Sequence, residues 1–158
     1  MYDREHAEKI IKVILGEALE HLLEARELLE KASDAIGGTR DSVISYLAVD
    51  SYFYEAGVHV SKAYMKVGGS DSVIIAELFE PMLASVNTAM LYFQGCFHTW
   101  ADGRPPCGLT PHAIMYIGLE IETAKGLIGQ AYDIVNEKTM GLASALKEVE
   151  IIRFTSPG

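Results

Sequence analysis

Apolar residues return at steps of three and four along most of the chain, the repeat expected of helices that bury one side. Ala7, Ile11, Ile14, Ala18, Leu22, Ala25, Leu29, Ala32 and Ile36 form such a stripe and predict a first helix over residues 3–35, stopped by Gly37-Gly38. A second helix opens at Thr39, Asp41 or Ser42 as N-cap and closes at Gly68-Gly69. Its apolar side centres on Val43, Leu47, Tyr54, Val58 and Met65 and widens to Tyr46, Phe53, Val60 and Tyr64, so it is expected to be the most buried helix.

The third helix is expected to start at Ser70 or Asp71 and to end near Trp100, with Ile75, Phe79, Met82, Val86, Met90, Phe93 and Phe97 inward. Pro81 falls inside it. Proline removes a backbone donor and crowds the preceding turn, so a kink or a restart is expected there. Thr110-Pro111, a capping hydroxyl followed by a first-turn proline, opens a fourth helix to about residue 136. Ile114, Ile117, Ile121, Ala124, Ile128, Ala131 and Val135 form its inner side. A short helix over residues 140–149 and an apolar tail, Ile151-Ile152-Arg153-Phe154, follow, the tail docking on a neighbour. No repeat or interdomain linker interrupts the pattern. The fold class it implies is all-α: an antiparallel four- to five-helix up-and-down bundle, one domain over residues 1–158.

Composition adds an expectation about assembly. Hydrophobic residues fill 49% of the chain, more than a solvated single bundle needs, while a net charge of -9 favours solubility; together they point to a homo-oligomer. The acidic balance argues against a nucleic-acid partner, because binding phosphates calls for a basic face. The uncharged run 81–101 is long enough to cross a bilayer. It holds Asn87, Gln94 and His98 and lacks a flanking Lys or Arg cluster, so it reads as a bundle helix and no membrane association is expected. Met1-Tyr2-Asp3-Arg4-Glu5 leads into a charged helix rather than a secretion signal, which makes the expected location cytoplasmic.

Polar residues on the apolar arcs mark where chemistry could sit. His21 lies within the arc of the first helix, with Glu17 and Glu24 a turn either side; Asp50 falls between Tyr46 and Tyr54; Glu120 interrupts the fourth helix. The third helix carries a column at heptad spacing, Glu80, Asn87 and Gln94, with His98 a turn beyond. Bundles build their sites from side chains on facing helices. Glu17, His21, Glu24, Asp50 and Glu120 are therefore candidate ligands of a divalent metal such as Zn or Mg, or of a small molecule. The alternative is structural, each inward carboxylate bonding a tyrosine hydroxyl or sitting at an oligomer seam. A di-iron centre is excluded by the lack of Glu-x-x-His pairs. His59 follows Glu55 on the polar side of the second helix and is expected to form only a solvated ion pair. The four-carboxylate pattern of the helical nucleotide pyrophosphatases of the MazG type is incomplete: Glu17-Ala-Leu-Glu20 or Glu24-Ala-Arg-Glu27 supplies one half, but Leu47-Ala-Val-Asp50 lacks a carboxylate.

The segment between the third and fourth helices gathers Cys96, His98, Trp100, Arg104, Cys107 and His112. Cys96, His98, Cys107 and His112 could supply four zinc ligands. Cys96 and Cys107 could equally form a disulfide or remain free thiols in a proline-stiffened loop.

Arg104 and His112, with seven residues between them at the entry to a late helix, resemble the Arg and His of HEPN-domain ribonucleases. Ala18-Leu19-Glu20-His21-Leu22-Leu23-Glu24-Ala25 and the stretch from Tyr52 to Met65 are similar to that family's first two helices. The resemblance implies a helical bundle whose paired protomers bring two copies of Arg104 and His112 together as catalytic residues for RNA cleavage. No complete catalytic motif emerges from the residues themselves. The expected function is a homo-oligomeric helical module that binds a partner or a small ligand. The alternatives are an RNA or nucleotide hydrolase, HEPN-like or metal-dependent, and a metal-binding bundle.

Overall fold

The computed structural model describes residues 4–41, 43–68, 73–96 and 109–155, with side chains described over 4–39, 43–68, 77–96 and 109–141. Four helices carry the chain: α1 (Arg4–Ala35), α2 (Val43–Val67), α3 (Val73–Gly95) and α4 (Pro111–Thr155), with a 3-10 turn, Ile36–Asp41, between α1 and α2. Each packs on its neighbours in sequence, and α1 also packs on α4, so the helices close into a ring. Lys66 meets Glu17 while His59 meets His21, so residue numbers fall along α2 as they rise along α1. Tyr64 against Phe79 and Tyr46 against Phe93 give α2 and α3 the same antiparallel sense. This is the all-α bundle that the periodicity predicts, with four helices and no strand among the described residues.

The core is apolar from end to end. Ala18, Ala25 and Ala32 of α1 and Ala56 and Ala63 of α2 are all fully buried, and this helix pair packs most extensively of all. Close backbone approach at alanines replaces side-chain bulk with many short contacts. Phe53, Phe79, Met82, Phe93, Ile117, Ile121 and Ile128 fill the remaining volume. The inner faces of α3 and α4 match the predicted stripes, with Phe79, Met82, Val86 and Phe93 on one and Ile117, Ile121, Ala124, Ile128, Ala131 and Val135 on the other. Among the described residues, the buried polar side chains are Thr39 and Ser85. Thr39 does not cap α2; its hydroxyl donates to the Ile36 carbonyl at 2.6 Å and closes the 3-10 turn.

Helix α2 departs most from expectation. It is not the most buried helix. Its core side is Val49, Phe53, Ala56, Val60, Ala63 and Val67, whereas Val43, Leu47, Tyr54 and Met65 face outward. Large apolar residues lie on both its outward and its core side, so periodicity alone does not choose between them.

Three further boundaries move. Helix α3 runs without a break through Pro81 and ends at Gly95, so Phe97 and Trp100 lie outside the described residues. Helix α4 is capped as predicted, the Ala113 N–H donating to Thr110 Oγ1 at 3.1 Å. It does not stop near residue 136 but continues as one helix to Thr155, absorbing the expected short helix and all of the apolar tail. No glycine or proline falls between Asn136 and Met140, and Thr139 bonds back to the Val135 carbonyl at 2.9 Å within the helix. At 1.5 Å per residue α4 rises roughly 68 Å and α3 roughly 35 Å, so α4 outruns its neighbour. No helix among the described residues is long and apolar enough to cross a membrane.

Candidate functional site

Two polar clusters and one apolar surface meet on α2. The first cluster lies along the α1–α2 seam. Glu17, His21 and Glu24 rise along α1 at steps of four and three, and Lys66, Lys62 and His59 descend along α2 at the same steps, so opposite charges come face to face. Lys66 bonds the Glu17 carboxylate and holds it below its ordinary range; the ion pair sits in solvent. His21 Nδ1 lies 2.9 Å from His59 Nδ1, with the rings tilted by 34°. His59 Nε2 lies 3.3 Å from Glu24 Oε2. Both contacts are satisfied when His59 Nε2–H donates to Glu24 and one of the two facing Nδ1 atoms donates to the other. The pKa of His21 is lowered, first by burial, then by His59, Lys62 and Lys66, with Glu24 opposing. His59 thus pairs with Glu24 across the seam and is half-buried, not a solvated partner of Glu55.

The second cluster spans α2 and α3. Gln94 Nε2 donates to Asp50 Oδ1 at 2.7 Å, the two groups half-buried beside Tyr46, whose ring stacks on Phe93 with centroids 5.2 Å apart. Burial, then the Asp50 charge, raises the Tyr46 hydroxyl pKa. The heptad column of α3 lies along this edge: Asn87 lines a groove of about 400 Å³ between α2 and α3, Glu80 lines its continuation, and Gln94 ends it at Asp50. Tyr54, Gly57, Val58, Ser61 and Met65 form the α2 wall, and Leu83 and Met90 part of the α3 wall. The neighbouring helix pair α2–α3 packs least of the four, which is why a groove opens there.

The candidate ligands do not converge. Glu17, His21 and Glu24 share one seam, Asp50 lies on the opposite edge of α2, and half-buried Glu120 belongs to α4. They occupy helix edges rather than the bundle interior, because an arc boundary read at 100° per residue lies at a helix–helix seam. Among the described residues no group of three His, Cys, Asp or Glu side chains is placed to hold a metal ion. Cys96 is a free, buried cysteine whose thiol is shifted upward by burial. His112 is exposed on the second residue of α4. Arg104, His98 and Cys107 lie outside the described residues, and with them the zinc, disulfide and Arg–His readings of that loop.

Sequence reasoning missed His59, Lys62 and Lys66. The signal was present: their spacing mirrors that of Glu17, His21 and Glu24 once the two helices are taken as antiparallel. The outward row of α2 was visible as a stripe but assigned to the core. The chain matches no family model, no curated protein and no solved structure in comparisons with known proteins.

Proposed function

We propose that the chain is a homo-oligomeric helical module whose binding surface is the outward face of α2, and that the partner seated there is a second copy. One observation carries this reading: large apolar side chains stand in water along that face, with Ile44 81%, Leu47 57%, Tyr54 65% and Met65 71% exposed. Singly exposed hydrophobic residues are ordinary, but several on the outward side of one helix beside a groove support an association surface. Removing each such side chain from water is worth on the order of 1.5–3 kcal/mol. Small-angle scattering on the purified protein tests the proposal: a particle of twice the chain's 17.3 kDa supports it, and a monodisperse single chain at every concentration overturns it.

A second reading, a divalent-metal site, draws on the His21–His59 contact. Two imidazole nitrogens on a tetrahedral zinc stand about 3.3 Å apart, given Zn–N bonds near 2.0–2.1 Å. The observed 2.9 Å is a hydrogen-bond distance, so the rings would part by about 0.4 Å to take a zinc ion, and Glu24 behind His59 would orient that ring as carboxylates do behind metal-bound histidines. Zinc titration followed by calorimetry, with His21→Ala as control, decides it: heat lost in the variant supports the site, and equal heat in both proteins removes it.

A further inference from the structure

Four apolar residues on the outward side of α2, exposed Leu47, Tyr54 and Met65 and half-buried Val58, are symmetric about position 56, while Ile44 nearer the helix start stands outside this pattern. Leu47 and Met65 lie nine residues either side of position 56, and Tyr54 and Val58 two residues either side. Advancing 100° per residue puts these four side chains within about 40° of one another, on one line along the helix. The polar residues beside the line follow the same rule: Asp50 and Lys62 each lie six residues from position 56, and Ser51 and Ser61 five. A helix face of this kind is complementary to itself when a second copy lies against it in the opposite direction, the requirement of an isologous interface.

We propose that two copies of this chain dock α2 against α2, antiparallel, about a two-fold axis passing between Tyr54 and Val58. The proposal rests on the self-association reading above and adds the register. In it Leu47 packs on Met65 of the second copy at both ends of the stripe, about 14 Å from the axis, and Tyr54 packs on Val58 at the centre. Asp50 and Lys62 arrive at the same height on the two copies but on opposite flanks of the stripe, so they frame the apolar line and do not pair across it. A parallel arrangement would instead set Leu47 on Leu47 and Met65 on Met65 and align the two helix dipoles, which antiparallel docking avoids.

The area is sufficient. Helix α2 rises roughly 38 Å, and with α3 beside it at 8–10 Å it offers a face roughly 20 Å wide, close to the 800 Å² per partner of a standard interface. The groove between the two helices lies along one flank of the stripe and would receive the Tyr54 side chain of the second copy. Leu83 and Met90 are already at its far wall.

Cysteine cross-linking reads the register directly. In a Cys96→Ala, Cys107→Ala background, Leu47→Cys and Met65→Cys are prepared separately, and their exposed positions allow the change without disturbing the core. Mild oxidation of the mixture should give a covalent dimer at least about tenfold more abundant than oxidation of either variant alone. A second pair, Tyr54→Cys with Val58→Cys, should behave alike. Strong self-linking of Leu47→Cys would reveal a parallel seam and overturn the register. Absence of any cross-link from a sample that light scattering shows to be dimeric overturns it too, leaving self-association intact. A sample that light scattering shows to be monomeric overturns both.

Discussion

Thr39 is fully buried and its hydroxyl holds the Ile36 carbonyl at 2.6 Å. Valine there keeps the volume but removes the hydroxyl's bond and leaves the carbonyl to the backbone of the 3-10 turn. Thr39→Val is expected to cost about 1 kcal/mol of unfolding free energy, measured by urea titration. His21 carries the clearest pH dependence of the cluster. Its folded pKa lies below the ordinary 6.5, so the unfolded chain binds that proton more tightly. The associated stability is complete above pH 6.5 and is lost as pH falls through that value toward the folded one. The urea midpoint should therefore drop between pH 7.5 and 5.5, and the drop should shrink in His21→Leu; an unchanged drop would remove His21 from the account. Glu17, held below 4.5 by Lys66, adds its loss only in stronger acid. At this scale the sequence shows His21 and Glu24 as a pair, but not what faces them. His59 looks like a surface residue until α1 and α2 are set side by side, since only a partner helix distinguishes a seam from a solvated face.

Helix α3 keeps its course through Pro81, which is exposed and lacks the N–H that an interior helical position donates. Pro81→Ala should restore that bond and relieve the preceding turn, raising stability by about 1–3 kcal/mol in thermal or urea unfolding. Gly126 in α4 has open space where a Cβ would stand, so Gly126→Ala should add about 1 kcal/mol by helix propensity alone. Either gain failing to appear would mean that the helix is not continuous at that point. The inner faces of α3 and α4 were legible because their stripes of large apolar residues coincide with the core side. Helix α2 was not, because it carries large apolar residues outward as well as inward, while its core side includes the small Ala56 and Ala63. The continuation of α4 past residue 136 was illegible for another reason: a loss of apolar periodicity resembles an end, whereas a helix stops only at a breaker or cap, and none occurs there.

Across the whole molecule, a net negative charge coexists with exposed apolar side chains on α2. Two chains of net charge -9 repel each other at long range, and salt shortens that range. Self-association should therefore strengthen as sodium chloride rises from about 0.05 to 0.5 M, the opposite of a contact held chiefly by ion pairs. The central claim is that the outward face of α2 holds two copies together. Sedimentation equilibrium of the wild type beside Tyr54→Glu tests it most directly, since the substitution puts a charge at the centre of the stripe without touching the core. The account predicts twice the 17.3 kDa chain mass for the wild type and a single chain for the variant, with unchanged helical circular dichroism. A single-chain mass for the wild type, or a dimer that Tyr54→Glu leaves intact, would contradict it.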